Sequence, residues 1–388
     1  MRDQVESVIA DARIQRAFRY ISEHEPEIEA DQIRLTSIPA PPFGEGPRAA
    51  VFAEELAKAG LQPSTDDIGN VITFYEHSNG QPVVIAAHLD TVFPAGMPIQ
   101  LRRKDKKLFM PGISDNGCGL VTLLWTLRAA REAGLHFRRP IVAVGNVGEE
   151  GEGNLRGIRH LFNAPPWEIR GCQFIAVDGG GFQRITHQAL GSRRFRVKMT
   201  GPGGHSWADF GRPNPVHAIA GAIHTFAARC GGRRGGTSFN VGVIRGGISV
   251  NAIPTEATME VDLRSATFIN LAELNDQLQR ALNEAAGASH VECVVEMMGE
   301  RPSGITSTET DIVQAALETT RRLGADAILD IGSTDANIPM SMGIPAIAMG
   351  GGGGSGNVHT PEEWFDPTNR ALGLQRLLVM LGVLGRLA

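Results

Sequence analysis

Three apolar runs stand out in the first half of the chain, and each stops abruptly at imidazole or acid. Val83-Val84-Ile85-Ala86-Ala87 runs into His88-Leu89-Asp90, residues 141–147 run into Gly148-Glu149-Glu150-Gly151, and residues 174–177 run into Asp178-Gly179-Gly180-Gly181. A run without polar alternation, bounded by prolines or glycines, reads as a strand buried on both faces, as in a parallel sheet. Open α/β sheets place their ligand crevices at the carboxyl ends of such strands. Side chains two apart on a strand share a face, so His88 and Asp90 project together. An imidazole can bind a metal through one nitrogen while a carboxylate fixes the other. Read alone, the pair equally fits a strand end that merely meets water.

Composition bounds the alternatives. With 388 residues, 42% hydrophobic and 20% charged, the chain has material for two domains or one large one. A net charge of −5 gives no support to a nucleic-acid surface. Cys118, Cys172, Cys230 and Cys293 lack metal-ribbon spacing and are expected to be buried thiols. The first twenty residues mix charges throughout, so no signal peptide is expected. Residues 372–387 are apolar but carry Arg376 and Arg386, and read as a packed helix rather than a membrane span. A cytoplasmic protein without membrane or nucleic-acid partners is the expectation.

Helical spacing covers residues 3–22 and 25–35, prolines break the segment 38–45, and a helix over 47–59 stops at Gly60. Short strands follow near 62–66, 70–75 and 107–110, and an apolar helix over 120–133. Near residue 190 the pattern changes to alternating strands at 193–200, 237–244, 256–264 and 290–298, with helices at 215–230 and 271–286. That order, β-α-β-β-α-β, is ferredoxin-like. The α/β pattern then resumes with a helix over 311–323 and strands at 328–331 and 345–349. The expected architecture is an α/β catalytic domain from 1–190 and 300–388, with a mostly parallel mixed sheet, interrupted by an inserted α+β domain at 191–299. The glycine run 350–354, taken by its residues alone, reads as a plain flexible loop in preference to a backbone that cradles a ligand. Ser333-Thr334-Asp335 either lines the cleft or serves as a turn or helix cap.

The ligand candidates are His88, Asp115, Glu149, Glu150, Asp178 and His359. Imidazole with carboxylate suits Zn²⁺, with Co²⁺ or Mn²⁺ as alternatives. The set exceeds what one catalytic zinc needs and matches two divalent ions sharing a bridging carboxylate. Glu149 and Glu150, being adjacent, point different ways in extended backbone, so one can bind metal while the other serves as a base.

His88-Leu89-Asp90, Ser114-Asp115-Asn116, Glu149-Glu150-Gly151, Val177-Asp178-Gly179, Gly203-Gly204-His205-Ser206 and Asn357-Val358-His359-Thr360 occur in one order. Together they resemble the M20 family of metallopeptidases, which includes peptidase T, glutamate carboxypeptidases and aminoacylases. The resemblance implies that Asp115 bridges two zinc ions, that Glu150 and His359 complete one and His88 and Asp178 the other, and that Asp90 orients His88. It implies Glu149 as the general base, His205 as a donor to the oxyanion, and Asn251 and Arg264 as substrate contacts. It also implies a cis peptide at Asp115–Asn116, an inserted lid and a homodimer formed through that lid. Asp178, where deacylase-type members usually carry Glu, favours an aminopeptidase or tripeptidase acting on short peptides. The alternatives are an N-acyl amino acid deacylase or carboxypeptidase of the same family, and a catalytically silent binding protein on the same scaffold.

Overall fold

The computed structural model describes residues 1–76, 80–165, 171–231 and 236–388. It divides into two compact units, Met1–Ala189 with Ile305–Ala388, and Leu190–Gly304.

The larger unit is built on a mixed sheet whose centre is parallel. Strand Val83–His88 lies between Ile141–Asn146 and Gln173–Val177, and Ala346–Met349 runs parallel beside Gln173–Val177. Antiparallel strands, Val71–Glu76 among them, flank this centre. Alternate residues of each central strand enter different cores. Val83, Ile85, Ala143 and Ile175 pack with the helices of one face, whereas Val84, Ala86, Val142, Val144 and Phe174 pack on the other. This double burial is why the runs show no polar alternation. The even-numbered parity carries on to His88, and the shared strand direction gathers the ends at His88, Asn146, Val177 and Met349 along one edge.

Several local features depart from the expectations. The first helical stretch is two helices, Arg2–Ala10 and Ala12–Glu23, because Asp11 takes an extended ψ of 128° and its carboxylate caps the second by accepting from Arg13 N at 2.8 Å. Helix Arg156–Asn163 and strand Arg184–Ala189, eight and six residues long, have no counterpart in the sequence reading. Cys118 and Cys172 are buried, but Cys230 and Cys293 are only half-buried.

The glycine run is a packed junction rather than a flexible loop. Gly351 N donates to Gly179 O at 2.8 Å, and Gly181 and Gly352 exchange a pair of backbone bonds at 3.0 Å. A methyl on Gly351 would lie 2.6 Å from Thr122 Oγ1, and one on Gly352, whose φ is +94°, 2.5 Å from Arg370 O. The C-terminal helix Arg370–Leu384 lies against this junction. Its fully buried Arg376 donates to Gly350 O at 2.6 Å and to Phe182 O while stacking on the Phe182 ring. Burial pushes that guanidinium down to about 9. Among the described residues, no helix is long and apolar enough to cross a membrane.

The smaller unit is a four-stranded antiparallel sheet in the order Thr237–Gly246, Glu256–Ser265, Gly191–Thr200, Glu292–Arg301. Helices Pro215–Cys230 and Phe268–Ser289 cover one face, burying Phe195, Val197, Met259, Val261, Phe226 and Leu278. Its chain order and strand order are ferredoxin-like.

Candidate metal centre

The centre forms where the parallel strands end. His88 closes its strand at 1% exposure, with Nε2 2.9 Å from Asp115 Oδ1 and 3.7 Å from Asp178 Oδ1. Its Nδ1 lies 3.0 Å from the backbone carbonyl of Asp90 and 3.6 Å from that residue's carboxylate. His359 Nε2 lies 3.0 Å from Asp115 Oδ2 and 2.9 Å from Glu150 Oε1. The two oxygens of Asp115 are therefore shared between two imidazoles, each with one further carboxylate.

Asp115 is placed by glycine-dependent packing. The Asp115–Asn116 peptide is cis, as the resemblance implied, and helix Gly117–Glu132 starts directly after it. Asn116 Oδ1 accepts from Gly119 N at 3.0 Å and from Gly179 N at 3.1 Å, while its amide donates to Val177 O at 2.9 Å. A methyl on Gly119 would sit 2.1 Å from Asn116 Oδ1, and one on Gly117 2.2 Å from Thr36 Oγ1. Only glycine permits that approach.

Asp90, fully buried, does more than orient an imidazole. Its carboxylate accepts from the backbone N–H groups of Glu149 at 3.0 Å and Glu150 at 2.7 Å. It thus pins the loop that presents both glutamates, and His88 Nδ1 stands closer to the Asp90 carbonyl than to the Asp90 carboxylate. Ligand atoms of His88, Glu149 and Glu150 lie within 4.8 Å of one another, so both glutamates face the centre.

The electrostatics follow from crowding five carboxylates around two imidazoles. Burial alone would strip the proton from His88, but Asp115, Asp178 and Asp90 outweigh it and hold His88 well above its ordinary value. Asp115 and Glu150 raise His359 to about 10. Burial opposes ionisation of Asp115, yet His359 and His88 keep it well below the usual carboxylate range. Burial pushes Glu150 up. The residues fit a pair of divalent ions on the chemistry of the donor set. Two clusters, His88/Asp115/Asp178 and Asp115/Glu150/His359, share one carboxylate, and both mix imidazole nitrogen with carboxylate oxygen.

Glu363 and Arg48, beside the centre, escaped the sequence reading, whereas Asp335 belongs to the Ser333-Thr334-Asp335 segment, expected either to line the cleft or to serve as a turn or cap. Glu363, fully buried, accepts from Gly112 N at 3.0 Å, Ser114 N at 2.8 Å and Asp115 N at 2.9 Å. Burial pushes its carboxyl up to about 7 despite those three donors. Asp335 is 2% exposed and accepts from Asn146 Nδ2 at 2.7 Å, and burial takes it up to about 7. Arg48, also fully buried, donates to the carbonyls of Thr36, Ile38 and Leu89. Acidic pairs and lone arginines are common in any sequence, and nothing local to Glu363 or Arg48 marked them.

Of the three candidates in the smaller unit, two are neighbours. Strand Gly204–His205 pairs with Ala252–Ile253, and Ser206 N donates to Asn251 O at 3.0 Å, so His205 and Asn251 are neighbours. His205 is exposed, and its Nδ1 accepts from Trp207 N at 3.2 Å and Ala208 N at 3.3 Å. In the neutral ring that assigns the proton to Nε2, which is left as a donor. Arg264 stands apart from them on strand Glu256–Ser265 of the four-stranded sheet, its Nε paired with Asp262 Oδ2 at 2.6 Å.

Comparison with known proteins gives one direction. The model for peptidase family M20/M25/M40 matches residues 84–381. Aminoacylase-1 of Sus scrofa is 24% identical over 370 residues, 87% of this chain and 88% of that one. A tripeptidase from Staphylococcus aureus subsp. aureus Mu50 shares the fold at TM-score 0.80 and 21% identity, over 93% of this chain and 99% of its own. A dinuclear metal-binding M20 peptidase from Bacillus subtilis does so at TM-score 0.71 and 15% identity, over 95% and 100%.

Proposed function

We propose that this chain, which belongs to peptidase family M20/M25/M40, is a two-metal aminopeptidase acting on short unblocked peptides. Membership makes it a hydrolase of peptide or amide bonds. The observation that carries the two-metal reading is the division of Asp115, one oxygen toward His88 and the other toward His359. In this reading Asp115, His88 and Asp178 hold one ion, and Asp115, Glu150 and His359 the other, with zinc the best match to the donors. Two such ions supply a water of lowered pKa and a polarised scissile carbonyl.

The chain's own residues do the rest. Glu149, on the loop pinned by Asp90, takes the proton of the attacking water and returns it to the leaving amine. His205 offers its Nε2–H to the developing oxyanion. Asn251 and Arg264 contact the carbonyl or carboxylate of the substrate, for which an arginine fork is suited. The inserted unit, 191–299 in the sequence reading, serves as lid and as the contact of a homodimer. The aminopeptidase reading is supported by Asp178 and by the likeness to the staphylococcal tripeptidase. The long match to aminoacylase-1 favours a second reading, an N-acyl amino acid deacylase.

Zn²⁺- or Co²⁺-loaded protein assayed on unblocked tripeptides and on N-acetyl amino acids separates the two. We expect tripeptide hydrolysis, abolished by chelation and restored by metal, with Glu149→Gln lowering kcat by about 10²–10⁴-fold at unchanged metal content. Hydrolysis of the N-acyl substrates alone would replace the first reading by the second.

A further inference from the structure

We propose that Glu363 is the positioning residue of the metal centre, locking the Asp115 loop to the His359 loop. Its functional consequence rests on the two-metal reading. Its geometry does not.

Asp115 and His359 are 244 positions apart, yet their mutual contact depends on loops with little regular structure. His359 sits at φ +66° and Asn357 at φ +53°, a backbone region that non-glycine residues hold only when surroundings enforce it. The His359 loop closes on itself through Thr360 N to Asn357 O at 3.1 Å and Glu363 N to Thr360 O at 3.0 Å. Glu363 ends that loop. Its backbone carbonyl accepts from Met110 N at 3.0 Å, and its side chain accepts three donations from the loop that ends in Asp115. The following residues Trp364 and Phe365 pair with Phe109 and Leu108, which extends the same seam.

One buried carboxylate thus joins the two loops whose ligands must meet. Three N–H groups on Gly112, Ser114 and Asp115 would otherwise be stranded away from water, and no neutral side chain of this length offers two acceptor oxygens. Groups that orient metal ligands typically change affinity or activity 10- to 100-fold when removed.

Glu363→Gln keeps the size and removes one acceptor. Glu362→Gln, exposed and paired with Arg102 in the parent, is the control. In the metal-free proteins, a cooperative thermal transition verifies folding, and amide exchange at Gly112, Ser114 and Asp115 should quicken about tenfold in Glu363→Gln only. In Co²⁺-loaded protein, affinity by chelator competition should fall about 10- to 100-fold, with a shift of the visible absorption bands that mark cobalt coordination. Unchanged exchange at the three amides overturns the positioning role. Quickened exchange with unaltered affinity and spectrum overturns its link to the metals. Wild-type protein that takes up fewer than two Co²⁺ would overturn the two-metal reading instead, and the exchange result would still decide whether Glu363 holds the loop.

Discussion

Asp90 shows how far a side chain's role can lie from its sequence neighbour. Two residues after His88, it suggests a partner for that imidazole, yet its two oxygens accept from Glu149 N and Glu150 N. The acid therefore sets where the proposed base and the proposed ligand stand relative to each other. Asp90→Asn puts an amide N–H against one of those donors, and an unsatisfied buried donor costs about 1–3 kcal/mol. The expected outcome is a fall in kcat with the loop displaced, while metal content by elemental analysis stays near the parent value because His88 is held by the Asp90 backbone carbonyl. Loss of both metals in Asp90→Asn would show that the carboxylate itself orients the imidazole.

Among the elements, the glycine run is the clearest case of a sequence reading reversed by packing. Five consecutive glycines are locally the most permissive backbone a chain can have. Here the backbone of Gly180 and Gly181, Thr122, Cys118, Arg370 O and Phe365 approach the first four of them so closely that a methyl would clash. Gly351→Ala is therefore expected to destabilise by about 1–3 kcal/mol, as overpacking does. Gly221, exposed within helix Pro215–Cys230 and with nothing within 4 Å of where a methyl would stand, is the opposite case. Gly221→Ala should stabilise by about 0.5–1 kcal/mol. Thermal unfolding of both variants checks the contrast. Equal effects at the two sites would mean that the junction is loose.

For the whole molecule, the two units differ in how they were legible. The smaller one announces itself by alternation, because each of its strands buries one face only: Glu256–Ser265 alternates along its entire length. Its first and last strands pair with each other, Ser192 opposite Arg301, which brings the unit's two ends together. Residues 190–304 also have a hydrophobic core of their own. Expressed alone, this segment is expected to unfold cooperatively in a thermal scan monitored by circular dichroism. A broad, non-cooperative transition would show that the unit depends on the rest of the chain. In the larger unit the parallel strands at its centre were equally plain, but short elements such as helix Arg156–Asn163 and strand Arg184–Ala189 were not.

The sequence by itself determined the parallel core strands, the ferredoxin-like insertion and the list of residues able to bind metal. These are properties of residue type and short-range spacing, which any reader of the chain can see. Residue spacing could not show that Asp115 divides between two imidazoles, which only the family resemblance implied, and tertiary structure alone decided that Asp90 holds the Glu149–Glu150 loop and that Glu363 reaches the Asp115 loop from about 250 positions away. Those relations are distances between strand ends and loops, set by sheet register and glycine-permitted close packing. No local pattern encodes a distance between residues so far apart in the chain.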